Sequence, residues 1–587
     1  MKKTEKTCQG HVWQQQIATP APGTGAKVRL LEALGLGALL MMAPDLWAQS
    51  PPDAGRALRE SAPATAPPRL SAEPPLAVPA APATPAPASP PGGSVSFVLR
   101  EVGFTGNSVF SDATLAPLVA GKIGQPVNLD DLQALAAQVS DYYQRAGYIL
   151  TQVVVPPQDV GSGRVRLSVI EGRLGRIRIE RLADIPMPES AITATLAGLQ
   201  PGKPLNQKQL ERAMLLLTDL PGLAPESSLE SGNEPGTFDL IVELKPAPRT
   251  NFSVDADNYG SRVTNEYRLG GFARINSPFG LRDNLDLRLL SSIGTGLTFG
   301  RISYELPLGY SGLRASVAYS HLDYELGKDL AALGASGKAK VYEAALTYPF
   351  IRSRAQNLFA KLSIEDKRLF DIIAAVAQAS DKRLRSMGAG FVYEGRDALG
   401  LGGYTNAGVT AYFGKLHIDS PRDLALDQGA GGLNTQGRYT RIVYQASRLQ
   451  SLSPQTSALV ALAGQWASKN LDSAEKIAAG GPRAVRAYSS SAGIGDEAHI
   501  LNAEYRWSFR PDAVVSVFYD AGWVRFNHDP LPGAPNTRTL RGYGLGFFWS
   551  PASGVSLRTS LAWRASDRES PGNDRNPRLY AQLVKVF

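Results

Sequence analysis

From about residue 250 to its end, the chain alternates apolar and polar residues repeatedly without building a long apolar run. Val555, Leu557, Thr559, Leu561 and Trp563 are interleaved with Ser556, Arg558, Ser560, Ala562 and Arg564. Val515, Val517, Tyr519, Ala521 and Trp523 are interleaved with Ser516, Phe518, Asp520 and Gly522. Strand side chains point to opposite faces with a period of two, so one face here suits hydrocarbon and the other tolerates charge. Repeated in stretches of about ten residues, this pattern predicts a transmembrane β-barrel. Sixteen candidate strands can be counted, with centres running from near residue 254 to near residue 582. The longest connection covers residues 469–497 and follows the eleventh strand. With both barrel termini in the periplasm, that connection is the sixth external loop.

Residues 94–247 carry a mixed pattern that occurs twice, predicting two β-α-α-β-β units over 94–172 and 173–247. The helix entries match: Pro126-Val127-Asn128-Leu129 against Pro204-Leu205-Asn206-Gln207, with each Asn placed as an N-cap. The strand expected over Phe238–Leu244 is a candidate edge for binding an extended client segment by strand addition. Residues 49–93 are dominated by Pro and Ala and form a linker. Within it, Asp53–Glu60 has room for about two helical turns. The expectation there is an irregular mature N-terminus, with a short helix as the alternative. Upstream, Lys27 and Arg29 precede an apolar stretch from Leu30 to Met42, then Leu46-Trp47-Ala48. Residues 1–48 therefore read as a leader and secretory signal peptide.

Composition narrows the function classes. The 587 residues carry a formal net charge of +8, but the arginines are scattered along strands, unlike a nucleic-acid-binding patch. A water-filled lumen accounts for them better. The single cysteine, Cys8, precedes the expected cleavage site, and the five histidines lie far apart, so no metal site or disulfide is expected. No catalytic triad order or phosphate loop is present. Neither enzyme activity nor a cofactor is expected.

Several motifs carry a resemblance. The double repeat contains Gly106-Asn107, Gly147-Tyr148, Glu171-Gly172 and Leu220-Pro221-Gly222, and resembles POTRA (polypeptide-transport-associated) domains. The long loop contains Gly480-Gly481-Pro482-Arg483-Ala484-Val485-Arg486-Ala487-Tyr488. It resembles the Val-Arg-Gly-Tyr loop of two-partner secretion transporters, exporters of filamentous haemagglutinin and haemolysin, with Ala487 where the family usually has Gly. Phe518, Asp520 and Gly522 match the family's Phe-x-Asp-x-Gly strand. The terminal Phe587 resembles the aromatic assembly signal of barrel proteins, although Lys585 departs from an apolar pattern on the same face.

The resemblance implies an all-β membrane fold: a sixteen-stranded antiparallel barrel over 248–587, preceded by two periplasmic POTRA domains. It implies export of a large adhesin- or haemolysin-type partner across a Gram-negative outer membrane. The implied partners are that client, outer-membrane lipid and lipopolysaccharide, and the barrel-assembly machinery. It also implies that the long loop folds into the pore and that Arg486 pairs with Asp520. Alternation independently turns Asp520 into the lumen, with Glu504 on the neighbouring strand as the rival partner. Gly480 and Gly481 suit either a loop doubling back or an ordinary turn. A short helix at Asp53–Glu60 would match the plug helix of family members. The same architecture would serve a barrel-assembly insertase, against which only two repeats and the long Pro-rich segment argue.

Overall fold

A computed structural model describes residues 52–61, 96–183, 185, 187–294, 296–565 and 575–587. The expected signal peptide and most of the Pro/Ala segment lie outside the described residues. Sixteen strands close into one antiparallel barrel. They are β1 (Thr250–Asp257), β2 (Arg268–Asn276), β3 (Asn284–Ser292), β4 (Leu297–Pro307), β5 (Arg314–Glu325), β6 (Ala335–Arg352), β7 (Gln356–Ile373) and β8 (Gln378–Asp397). The circuit continues through β9 (Gly403–Ile418), β10 (Gly437–Ser451), β11 (Thr456–Ala467), β12 (Glu497–Arg510), β13 (Ala513–Arg525), β14 (Thr537–Trp549), β15 (Val555–Arg564) and β16 (Arg578–Val586). Closure is made by β16 against β1, in a register that includes Gln582 opposite Asp257 and Val586 opposite Ser253. Full closure leaves no sheet edge in hydrocarbon, where an unpaired backbone group is costly. Outside, Val517, Tyr519, Leu545 and Tyr543 are exposed, as lipid-facing residues are in the absence of lipid.

At the seam, Phe587 stacks on Phe252 with ring centroids 4.4 Å apart, and its backbone N–H donates to the Phe252 carbonyl at 3.0 Å. Lys585 shares that outer face but reaches a periplasmic turn, where its Nζ donates to the Ser553 carbonyl at 2.6 Å. A lysine is tolerated there because its stem lies on apolar surface while its head reaches the interface.

The soluble region holds two three-stranded sheets and a short two-stranded pairing of Phe97–Val98 with Pro126–Val127. The first orders Glu101–Thr105, Arg164–Ile170 and Gln152–Val154, with Arg164–Ile170 central. Helix Leu129–Arg145 packs Leu132, Leu135, Val139 and Tyr143 into its core, and Asn128 with Asp131 forms a reciprocal capping box. Buried Glu171 accepts from the backbone N–H groups of Ser108 (2.7 Å) and Val109 (2.8 Å) and from the Tyr143 hydroxyl (3.1 Å). Burial first, and the Glu171 carboxylate second, push the Tyr143 hydroxyl above its usual range. In the second unit, helix Gln207–Thr218 is capped by Asn206, whose side chain accepts from Lys208 N–H at 2.9 Å.

Two expectations are corrected. The candidate edge strand is not an edge. Thr237–Pro246 pairs in parallel with Arg173–Arg181 on one side and antiparallel with Leu223–Ser231 on the other. Both its ladders are filled, so it cannot accept a client strand. Leu223–Ser231, a strand the apolar pattern conceals because its interior holds Pro225, Ser227 and Ser228, takes the outer position. Second, the mature N-terminus is not irregular around Asp53. Ala54–Ser61 forms a helix inside the barrel. Eight residues do not sustain a helix alone. Here the small side chains Ala54 and Ala57 are buried among Leu322, Tyr324, Leu369, Leu471 and Ala474, and that packing holds it.

The second soluble unit is tied to the barrel rim. Arg352 Nε and Nη2 donate to the two oxygens of Asp219 at 3.0 and 2.8 Å, and Arg212 Nη2 donates to the Pro349 carbonyl at 3.0 Å.

Candidate functional site: the loop and helix in the barrel lumen

The connection from β11 to β12 doubles back into the barrel. A short antiparallel pairing of Ile477–Ala478 with Ile494–Gly495 forms its neck. Beyond the neck, Gly481 has φ +116, a conformation that side chains disfavour. A Cβ at Gly480 would overlap the Ser489 carbonyl oxygen, so both glycines serve the tight return of the tip.

Asp520 on β13 and Glu504 on β12 face the lumen, as alternation requires, and Asp520 is 0 % exposed. Arg486 reaches both. Its Nε and Nη2 donate to the two oxygens of Asp520 at 2.8 and 2.7 Å, its backbone N–H adds a third bond at 3.1 Å, and its Nη1 donates to Glu504 at 2.5 Å. The guanidinium carbon lies 3.4 Å from the centre of the Phe518 ring. A planar fork can make all of these contacts at once. One edge matches a carboxylate, another N–H remains for a second acceptor, and the face stacks on an aromatic. Asp520 and Glu504 are thus simultaneous partners of Arg486, where the sequence posed them as rivals.

Three residues of the site escaped the sequence reading. Asn502 donates from one amide to Asp520 at 2.8 Å and to the Ala484 carbonyl at 2.9 Å. Arg506 donates to the other oxygen of Glu504 at 2.8 Å. Tyr580 donates from its hydroxyl to the Tyr488 carbonyl at 2.9 Å. Each lies on a lumen-facing position of its strand, which the alternation already marks.

Shape completes the seat. Val485, Ala487 and Tyr488 are buried against Phe518, Leu540 and Ala562. A Cβ on Gly522 would sit 3.0 Å from Val485 Cγ2, and one on Gly542 would lie 2.5 Å from Ala487 Cβ. Gly522 therefore leaves room for the loop. The added methyl of Ala487 fits because β14 offers glycine opposite it.

The base of the loop has its own ionic anchors. Glu475 lies 2.7 Å from Lys367 on β7 and 2.5 Å from Arg441 on β10, and Asp472 lies 3.0 Å from Lys382 on β8. The lumenal helix rests on this base. Ser473 Oγ donates to Asp53 at 2.5 Å, and Arg59 Nη1 donates to the Lys476 carbonyl at 2.6 Å. Two bonds come from the wall: Ala54 N–H to Asp371 at 2.8 Å and Arg268 Nη1 to the Glu60 carbonyl at 2.9 Å.

Elsewhere the lumen is polar. A recess of about 170 Å³ is lined by Arg274, Asp286, Arg301, Glu305, Glu343 and Lys361 among others. Charges of both signs are interleaved there, a wall that wets an extended chain without gripping either sign.

Comparison with known proteins agrees with this architecture. Residues 236–549 match the model of the haemolysin secretion/activation protein family ShlB/FhaC/HecB, and residues 97–172 match the ShlB-type POTRA domain. The heme/hemopexin transporter protein HuxB of Haemophilus influenzae is 26 % identical over 486 residues, 81 % of this chain and 84 % of that protein. The hemolysin transporter protein ShlB of Serratia marcescens is 24 % identical over 466 residues, 75 % of this chain and 76 % of that protein. The structure of CdiB from Escherichia coli superposes with a TM-score of 0.67 at 21 % identity, covering 97 % of this chain and all of that one.

Proposed function

The chain belongs to the haemolysin secretion/activation family, outer-membrane transporters that export a partner protein, and from that premise we propose how its lumen works and what it carries. The barrel sits in the outer membrane with its POTRA domains in the periplasm, and it serves two-partner secretion. Its client, in this reading, is a large secreted protein of the adhesin or haemolysin type, passed in extended form through the barrel. The carrying observation is a lumen occupied by two separate segments of the same chain, each seated on apolar packing and on polar contacts that water and client can replace.

In the resting state the loop tip is latched by Arg486 on Asp520 and Glu504, and the Ala54–Ser61 helix fills space above the loop base. A client segment enters from the POTRA side, where Leu223–Ser231 offers an outer strand edge. The helix withdraws, and the barrel passes the chain outward. Folding of the client outside supplies the direction, since the outer membrane offers no nucleotide energy. The barrel-assembly machinery and the terminal Phe587 deliver the transporter itself.

Deletion of the gene tests the client assignment. One large protein should vanish from the culture medium and cell surface while other outer-membrane barrels keep their abundance. A broad loss of barrel proteins would overturn this reading and favour an assembly role.

A further inference from the structure

We propose that the outer face of strands β6–β9 carries a binding site for the phosphorylated sugar headgroup of an outer-leaflet glycolipid of the lipid A type. The four strands run to 18, 18, 20 and 16 residues, whereas β1–β3 have 8, 9 and 9. About ten residues suffice to cross a bilayer. The surplus projects beyond the membrane on the extracellular side, since β6 descends from an external connection.

On each strand the outward residues are apolar for four successive positions: Tyr342 to Tyr348, Leu358 to Ile364, Met387 to Tyr393 and Ala407 to Phe413. At about 3.3 Å per residue and a tilt near 40°, the first and last of these positions are roughly 15 Å apart along the membrane normal, and with their side chains they fill much of the ~25 Å apolar band of such barrels. Charge then begins at one level on β7, β8 and β9, where Tyr342 still stands on β6, and one outward position later on β6, at Lys340.

Two rows of residues, paired strand to strand, follow. In the first, Asp366 lies opposite Arg385, Arg385 opposite Lys415, and Lys415 opposite Arg438 on β10. In the second, Lys340 lies opposite Arg368 and Arg368 opposite Arg383, with His321 and His417 at its ends. The two rows hold six lysines and arginines against one carboxylate, Asp366. That carboxylate is already engaged by Arg383 at 2.5 Å, Arg385 at 3.2 Å and Arg368 at 3.6 Å. Among the described residues, Lys340 and Lys415 form no ion pair. The next row outward is richer in carboxylates: Asp323 pairs with Lys338 and His321, Asp419 pairs with His417, and Asp381 lies opposite Phe370.

Like charges directly opposite across strands destabilise a sheet. Three adjacent cations therefore pay for their own placement unless an anion lies on them. Guanidinium forks and an ammonium head at the membrane boundary suit phosphate on a lipid headgroup. The aromatic belt beneath supports the geometry, with Tyr319 and Tyr342 centroids 5.1 Å apart and Arg368 5.7 Å above the Tyr342 ring. The external end of the barrel faces the leaflet that contains phosphorylated glycolipid, which selects this source over a periplasmic-leaflet phospholipid. The proposal rests on the outer-membrane placement and is independent of the client and the latch.

Native mass spectrometry of the full-length protein in dodecyl maltoside, titrated with diphosphoryl lipid A or its dephosphorylated form, tests the site. The wild type should bind the phosphorylated form at least about tenfold more tightly. The variant Lys340→Gln/Arg368→Gln/Arg383→Gln/Arg385→Gln should lose that preference while remaining a heat-modifiable barrel. If the fourfold variant fails to fold, Arg368→Gln and Arg385→Gln should each weaken binding about threefold. Equal affinity for the two lipid forms, or unchanged binding by the folded variants, overturns the proposal. Lost export with intact lipid A binding does so too, because it would assign the patch to the secreted client.

Discussion

The two segments that share the barrel lumen are held in different ways. The loop tip inserts a guanidinium between buried Asp520 and partly buried Glu504, stacks it on Phe518 and surrounds it with Val485, Ala487 and Tyr488. The Ala54–Ser61 helix buries Ala54, Gly55, Ala57 and Ser61 together with Arg56, which among the described residues pairs at 3.2 Å with Glu60 of the same helix and with nothing on the wall. Its bonds to its surroundings are mostly single ones, two of them to backbone carbonyls. Breaking a buried ion pair by removing one partner costs about 3–5 kcal/mol, whereas a lone neutral hydrogen bond contributes about 1 kcal/mol net. The helix is thus built to leave and the loop to stay, or to move only when something replaces its contacts. A pore with two such occupants can be vacated in steps.

The comparison breaks most sharply at the latch. Asp520→Ala should have the largest effect, because it leaves Arg486 Nε, Nη2 and backbone N–H and the Asn502 amide short of an acceptor together. Secretion should fall more than tenfold, by the order of energy of a broken buried pair, while the heat-modifiable barrel persists. Arg486→Ala should match it, and the double variant should be no worse than either single one, because both remove one contact. Glu504→Ala should do less, since Asp520 still holds Arg486. Additive losses from the two main substitutions would reject the shared latch, and full secretion by Arg486→Ala would remove it from the mechanism.

The next effect separates charge from shape. Gly522→Leu keeps every charged group but pushes a side chain into Val485, which already lies 3.0 Å from a bare Cβ. The loop tip should lift, raising single-channel conductance in planar bilayers and exposing residues 480–492 to protease. Unchanged protection would show that the ion pairs alone seat the tip.

The helix gives a smaller one. A Cβ on Gly55 would meet Ser473 Oγ at 2.5 Å and Ala474 N at 2.6 Å. Gly55→Val should expel the helix from the base of the loop and raise resting conductance, with secretion held near the wild-type level. If secretion falls as far as it does for Asp520→Ala, the helix and the loop are not held in different ways after all.

Much of this was legible in the chain. All sixteen strands lie within a few residues of their expected centres, because alternation over lipid on one side and water on the other is imposed at every position. The same alternation turned Asp520 and Glu504 inward. It does not say that one arginine takes both, since a loop has no period and the approach of its tip depends on Gly522 and Gly542, on the two strands that follow β12. The resemblance, not the pattern, nominated Arg486. Strand Leu223–Ser231 is hidden in the sequence because a partly exposed outer strand need not carry an apolar row, and without it the central strand reads as an edge. The lumenal helix was underrated because its eight residues are helical only by virtue of what surrounds them. Nothing in its propensity reports a wall that offers Tyr324 and Asp371 and a loop base that offers Ser473.

The smallest expected effect concerns what joins the helix to the rest of the molecule. Residues 64–91 are rich in Pro and Ala, a composition that favours extended conformations of about 3.1 Å per residue and offers few groups for specific contact. If the helix is a removable occupant, this segment needs only to let it reach the lumen and leave it. Replacing 64–91 with a Gly/Ser stretch of equal length shortens the mean reach, because flexible chains grow as the square root of length, about 5–6 Å × √n. For 28 residues that is still roughly 30 Å, enough to keep the helix near the barrel mouth. Secretion measured from culture supernatants should remain close to wild type, with at most a modest rise in resting conductance as the helix dwells less in the pore. A collapse of secretion would mean that the segment makes a contact of its own, and the helix would then have to be regarded as the end of a longer bound element.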